Sequence, residues 1–62
     1  MTKQDIITAI SAGLTVHWKS IFYTIKVIRG DYYLKASNGN LIGIVGDDGS
    51  WNIDPDDCFI HS

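Results

Sequence analysis

His17, Cys58 and a run of aspartates are the residues of this chain whose types could do covalent or metal chemistry. His17 with Cys58, or with an Asp, would make a nucleophile and base if the fold brought them within hydrogen-bond reach. Nothing in their spacing requires that. Cys58 stands before Phe59 and Ile60, where a cysteine reads as a small buried hydrophobe. His17 and His61 are isolated, and no set of His and Cys has the spacing of a zinc site. The chain has no phosphate-binding glycine loop, nucleophile elbow or metal motif. A domain this small also struggles to enclose a pocket of a few hundred cubic ångströms. The expectation is a protein with no catalytic residue, no metal, no cofactor and no small-molecule substrate.

The acidic segment GDDGSWNIDPDD invites two sharper readings. A calcium loop of the EF-hand type needs oxygen ligands at alternating positions, a glycine at the sixth and a glutamate at the twelfth. Here the aspartates are contiguous and the chain holds no Glu. A surface imitating nucleic-acid phosphate needs carboxylates spread to match a duplex. Asp47, Asp48, Asp54, Asp56 and Asp57 are few for that. The plain reading is solvated turns, because Asp and Gly supply turn geometry and keep a sheet end soluble.

Trp18, Lys19, Phe22, Lys26, Arg29, Tyr33 and Lys35 form a basic and aromatic set. Small β-domains bind single strands by stacking bases on aromatics within a basic groove. If residues 21–28 form a strand, Phe22 and Lys26 share a face. Tyr33 and Lys35 share one on the next strand. The formal net charge of −2 and the absence of a cold-shock or RRM signature make nucleic-acid binding the alternative reading. Its plain counterpart is lysine stems covering apolar surface.

The elements that would position these residues follow from hydropathy and turn signals. Thr2 is a good N-cap, and Asp5 three residues later approaches a capping box. Ile6, Ala9 and Ile10 then keep helical spacing up to Gly13, a natural helix stop. The spacing predicts a helix over 3–12, too short to persist alone, so it must dock. After Leu14 the period becomes two. Strands are expected near 15–18, 21–28, 32–37, 40–45, 50–53 and 58–60. Arg29-Gly30-Asp31 is a tight turn. Asn38-Gly39 suits a type I′ hairpin. Gly43 suggests a bulge or a close approach. The expected fold class is α+β: one N-terminal helix packed on a four- to five-stranded antiparallel meander, compatible with an SH3-like partly closed barrel. The expected core is Ile6, Ile10, Val16, Trp18, Tyr23, Ile25, Val27, Leu34, Ile42, Ile44 and Phe59.

The 62 residues allow one domain and a small core. A chain of this length buries about 60% of its unfolded surface, so its stability is a few kcal/mol. One cysteine permits no internal disulfide and fits a reducing compartment. No apolar run reaches the roughly 20 residues of a membrane span, and the N-terminus reads as a helix, which points to the cytoplasm. Residues 1–36 carry all five Lys and Arg against Asp5 and Asp31, formally +3. Residues 37–62 carry five Asp and no base, formally −5, and the two sum to −2. Such polarity favours charged binding surfaces without naming a partner.

Phe22, Ile28, Tyr33, Leu41 and Trp51 are large apolar groups that this core leaves over. Exposed apolar groups in contact with one another mark interfaces, and Tyr and Trp are favoured anchors there. With Asp54, Asp56 and Asp57, which would steer a basic partner, they form the expected partner-binding set. A protein partner and a homodimer burying the same patch from both copies both fit it. No membrane partner is expected.

The series Gly13-Leu14-Thr15-Val16-His17-Trp18, Tyr23-Thr24-Ile25, Tyr32-Tyr33-Leu34, Asn38-Gly39, Ile42-Gly43-Ile44, Asp48-Gly49 and Asp57-Cys58-Phe59-Ile60 resembles short proteins of bacteriophages and bacterial mobile elements that have no assigned chemistry. It covers nearly the whole chain and carries over no catalytic or binding residue. The resemblance implies a small cytoplasmic accessory protein that binds and modulates a host or phage macromolecule. The sequence thus reads as a non-enzymatic protein-interaction module. A small single-stranded nucleic-acid-binding domain and a structural homodimer are the alternatives.

Overall fold

The first turn of the helix is fixed by reciprocal hydrogen bonds. In the computed structural model, which describes residues 1–61 (His61 by its backbone alone), helix α1 spans Lys3–Ser11. The Asp5 backbone N–H donates to Thr2 Oγ1 at 3.1 Å, and the Thr2 N–H donates to Asp5 Oδ2 at 3.0 Å. This is the capping box expected from Thr2 and Asp5. At the other end Leu14 N–H reaches Ala9 C=O and Gly13 N–H reaches Ile10 C=O, both at 3.0 Å. Gly13 has φ +85°, so the pair forms a Schellman stop that only a residue without Cβ adopts cheaply. Ile6 and Ala9 are buried, and Ile10 packs at the margin of the core.

Five strands follow: β1 Thr15–Trp18, β2 Ser20–Ile28, β3 Asp31–Ala36, β4 Leu41–Gly43 and β5 Cys58–His61. They make one antiparallel sheet in the order β4-β3-β2-β1-β5. The first four form a meander. The last strand returns to the far side of β1 instead of extending the meander past β4. The sheet does not close, so the barrel alternative falls: β4 and β5 end as opposite edges. Helix α1 packs against the β1 side of one face, and residues 44–53 fold over the β3 side of that face.

Turn chemistry explains the registers. Arg29 and Gly30 both have positive φ, +54° and +84°, joining the paired residues Ile28 and Asp31. That is a two-residue type I′ hairpin. The expected I′ turn at Asn38-Gly39 is a different one. Only Gly39 has positive φ there, and Ala36 N–H and Asn40 C=O bond across a three-residue loop. This is a type I turn closed by a glycine bulge. Gly46–Ser50 repeats it, with Gly49 at φ +84° and Gly46 N–H donating to Ser50 C=O at 2.7 Å.

The strand expected over 50–53 does not form. Trp51 makes a single bridge with Val45, because the chain must turn into the 3₁₀ turn Pro55–Asp57 before β5. Strand β4 is also shorter than the expected 40–45.

The core is Ile6, Ala9, Val16, Ile25, Leu34, Ile44 and Cys58, with Met1, Ile10, Trp18, Tyr23, Tyr32, Trp51 and Ile53 packed around it. Val27, Ile42 and Phe59 were expected inside and are exposed. Val27 and Ile42 point to the covered face, but near its rim, where neither helix nor loop reaches. Phe59 lies directly opposite His17 and so points to the other face. Cys58 is buried, as its reading as a small hydrophobe expected, and Ala9 and Ala36 take interior places that the expected core did not include.

An open basic and apolar sheet face

Alternation along each strand divides the side chains between two faces. The pairs Ile25↔Leu34 and Leu34↔Ile42 lie on the covered face. The pairs Thr24↔Lys35, Lys26↔Tyr33 and Lys35↔Leu41 lie on the other, with Phe22 and Ile28 on the same alternation. No described element crosses that second face. Phe22, Ile28 and Leu41 remain 42%, 40% and 51% exposed there.

Lys26 and Lys35 sit diagonally across β2 and β3 near the middle of this face, a spacing of about 7–8 Å between backbones. Neither has a hydrogen-bond or ion-pair partner among the described residues. The two lysines line two shallow hollows. One, of about 230 Å³, also takes in Phe22 and Thr24. The other, of about 290 Å³, also takes in Ile28 and Leu41. The charged residues whose strand positions fall on this face are Lys26 and Lys35, with Asp31 at its rim beside Ile28.

Tyr33 is half-buried, its ring lying over Gly43 on the neighbouring strand. A Cβ placed on Gly43 would meet Tyr33 Cε1 at 3.9 Å. That is ordinary van der Waals contact, and the register through Gly43 is regular, so neither the close approach nor the bulge expected there is present. At the β5 side of the face, the His17 and Phe59 rings lie 5.5 Å apart. His17 is buried, with Nδ1 3.0 Å from the Tyr23 carbonyl oxygen and 3.2 Å from Thr24 Oγ1. The backbone carbonyl can only accept, so Nδ1 carries the proton in that contact.

The expected partner-binding residues do not all gather. Phe22, Ile28, Tyr33 and Leu41 share the open face. Trp51 lies on the opposite side, 5.2 Å from the Tyr32 ring and beneath Lys3 Nζ at 5.3 Å from its centroid. Asp54, Asp56 and Asp57 form the turn at the end of the sheet where β1 passes into β2. Asp54 caps the Asp56 N–H at 2.9 Å, and the Lys19 N–H donates to the Asp57 carbonyl at 2.9 Å. The expected set omitted Lys26, Lys35 and Phe59. The signal for Lys26 was its place on the alternation of Phe22 and Ile28.

The charge polarity of the chain is blunted in space. Lys3 Nζ lies 3.5 Å from the Gly49 carbonyl beside Asp47 and Asp48, and Lys19 Nζ lies over the Trp18 ring, 4.8 Å from its centroid. Lys26, Lys35 and Arg29 are left as the cations away from the acidic segments.

His17 and Cys58 are on opposite faces. His17 pairs with Phe59, and Cys58 pairs with Trp18 on the covered side. Burial pushes the Cys58 thiol above its ordinary range, with smaller upward contributions from the carboxylates of Asp57 and Asp54. A buried thiol held in its neutral form is a poor nucleophile. Among the described residues, no three of His, Cys, Asp and Glu gather as metal ligands. No described helix is long and apolar enough to cross a membrane. No protein-family model, curated protein or solved structure matches the chain.

Proposed function

We propose that this protein is a non-enzymatic, cytoplasmic protein-interaction module whose binding surface is the open sheet face. One observation carries the reading: Phe22, Ile28 and Leu41 stand exposed on one face around two lysines that have no partner among the described residues. Apolar groups collected on one sheet face mark an interaction surface. The separation of His17 from Cys58 across the sheet, and the shallowness of the hollows, support a binding role over a catalytic one. The resemblance to phage and mobile-element proteins supports an accessory role, modulating a host macromolecule by occupying its surface.

Single-stranded nucleic-acid binding is the second reading. It is favoured by Phe22, Tyr33, Lys26 and Lys35 falling on one face. Pull-down from bacterial lysate with the parent chain and with Phe22→Ser/Leu41→Ser separates the two. A protein retained at high salt by the parent and lost by the variant supports the module. Nucleic acid released at high salt supports the alternative. Equal capture by parent and variant counts against the face.

A further inference from the structure

We infer that the open face takes an acidic, amphipathic peptide segment of a partner protein. Its carboxylates meet Lys26 and Lys35, and its apolar side chains fill the hollows on either side. The inference rests on the reading of this face as a protein-binding surface and adds the chemistry of the partner.

Charge complementarity makes the first argument. The centre of the face presents two ammonium groups and no carboxylate, with Asp31 confined to the rim. Neither lysine is engaged within the described chain. A partner that brings carboxylates there exchanges water for two charge-assisted hydrogen bonds and breaks none within the described chain. The hollows set the rest of the pattern. Phe22 marks one and Ile28 with Leu41 the other, and both are bounded by the same two lysines. Phe22 and Ile28 are about 20 Å apart at the rise of a strand. About six extended residues, or about thirteen helical ones, cover that length. The complementary segment is therefore apolar at both ends and acidic between.

Two other occupants fit less well. A second copy docked about a two-fold axis through this face would bring Lys26 and Lys35 against their own counterparts. Four like charges would then be desolvated together, which costs several kcal/mol. A nucleic-acid strand would satisfy the lysines. It has nothing to place in the hollow between Ile28 and Leu41, where no aromatic ring offers a stacking surface.

The test is a displayed library of random peptides about sixteen residues long, enough to span the face as a helix. It is sorted for binding to the full chain, and against Phe22→Ser/Leu41→Ser to remove peptides that bind elsewhere. Enriched peptides and an oligothymidylate are then titrated by fluorescence anisotropy against the parent and against Lys26→Glu/Lys35→Glu. The expected result is enrichment of sequences with two or more Asp or Glu between apolar residues. The charge-reversed variant should bind these about tenfold more weakly or worse. It should regain affinity for a peptide whose acids are replaced by Lys. Neutral or basic peptides that still depend on Phe22 and Leu41 would overturn the acidic chemistry and leave the face reading intact. Acidic peptides that bind the serine variant equally would overturn the face reading itself. An oligothymidylate bound by the parent and lost by the charge-reversed variant, with no peptide enriched, would replace both with nucleic acid. A library that yields no face-dependent binder overturns the proposal.

Discussion

Asp5 and Asp48 show how single residues set local order here. The Thr2 backbone N–H, then the Thr2 hydroxyl, hold the Asp5 carboxyl below the ordinary carboxylate range. The Ser50 hydroxyl, then the Ser50 backbone N–H, do the same for Asp48, at 2.6 Å and 3.0 Å. An unfolded Asp titrates near pH 3.9, approximately, and in the native chain these two titrate lower. Their contribution to stability is therefore complete above about pH 4. It drains away as pH falls through the lower native values. Asp5→Asn/Asp48→Asn should flatten the acid limb of the melting temperature measured by circular dichroism between neutral and strongly acid pH. Parallel acid limbs for parent and variant would contradict this account. Trp18 gives a second residue-scale prediction. Its buried Nε1–H has no acceptor among the described residues, an arrangement that costs about 1–3 kcal/mol. Trp18→Phe removes that donor at the expense of some packing, including part of the edge contact with Tyr23. The two terms are similar, so the urea midpoint should change little. A large loss of stability would show that the indole is satisfied or that its volume dominates.

Between elements, the helix docks through the buried stripe of α1 against β1, beside Ile44 on the same core. Ile6 is fully buried, and Ile6→Ala should cost about 2–5 kcal/mol, most of what a domain this size holds. Leu41→Ala on the open face should change stability by about 0.5 kcal/mol or less. Urea denaturation of both variants checks the contrast, and equal losses would mean that the open face is a second core. The helix was legible in the sequence because its signals are local: Thr2 and Asp5 at one end, Gly13 at the other. β2 was legible because Ile, Val, Thr, Phe and Tyr crowd it. The type of the Asn38 turn was not, since Asn-Gly serves both a two-residue loop and a bulged three-residue loop. The choice depends on which backbone groups pair across it. Ser50–Ile53 alternates like a strand, but it keeps only the Trp51–Val45 bridge before the chain turns into Pro55–Asp57. The place of β5 beside β1 is a non-local pairing that no residue spacing encodes. That pairing sends Phe59 to the open face and Cys58 inside. Of the candidate site, Phe22, Ile28, Tyr33 and Leu41 were legible as apolar groups the core could not hold. Trp51 was misplaced because its partner, Tyr32, is reached only once residues 44–53 fold over the sheet.

At the scale of the molecule, folding turns a chain with a basic half and an acidic half into a domain with one covered face and one open face. Lys3 comes to rest beside an acidic turn, and Lys19 over the Trp18 ring. Lys26 and Lys35 remain on the open face among Phe22, Ile28 and Leu41. The central claim is that partners bind there. It is tested most directly by amide chemical-shift mapping on the ¹⁵N-labelled chain as a selected peptide, or a partner recovered from lysate, is added. The account predicts shifts concentrated at Phe22, Thr24, Lys26, Tyr33, Lys35 and Leu41. Ile6–Ala12 and Trp51 should stay in place. Shifts centred on α1 or around Trp51, with the open face unmoved, would contradict it.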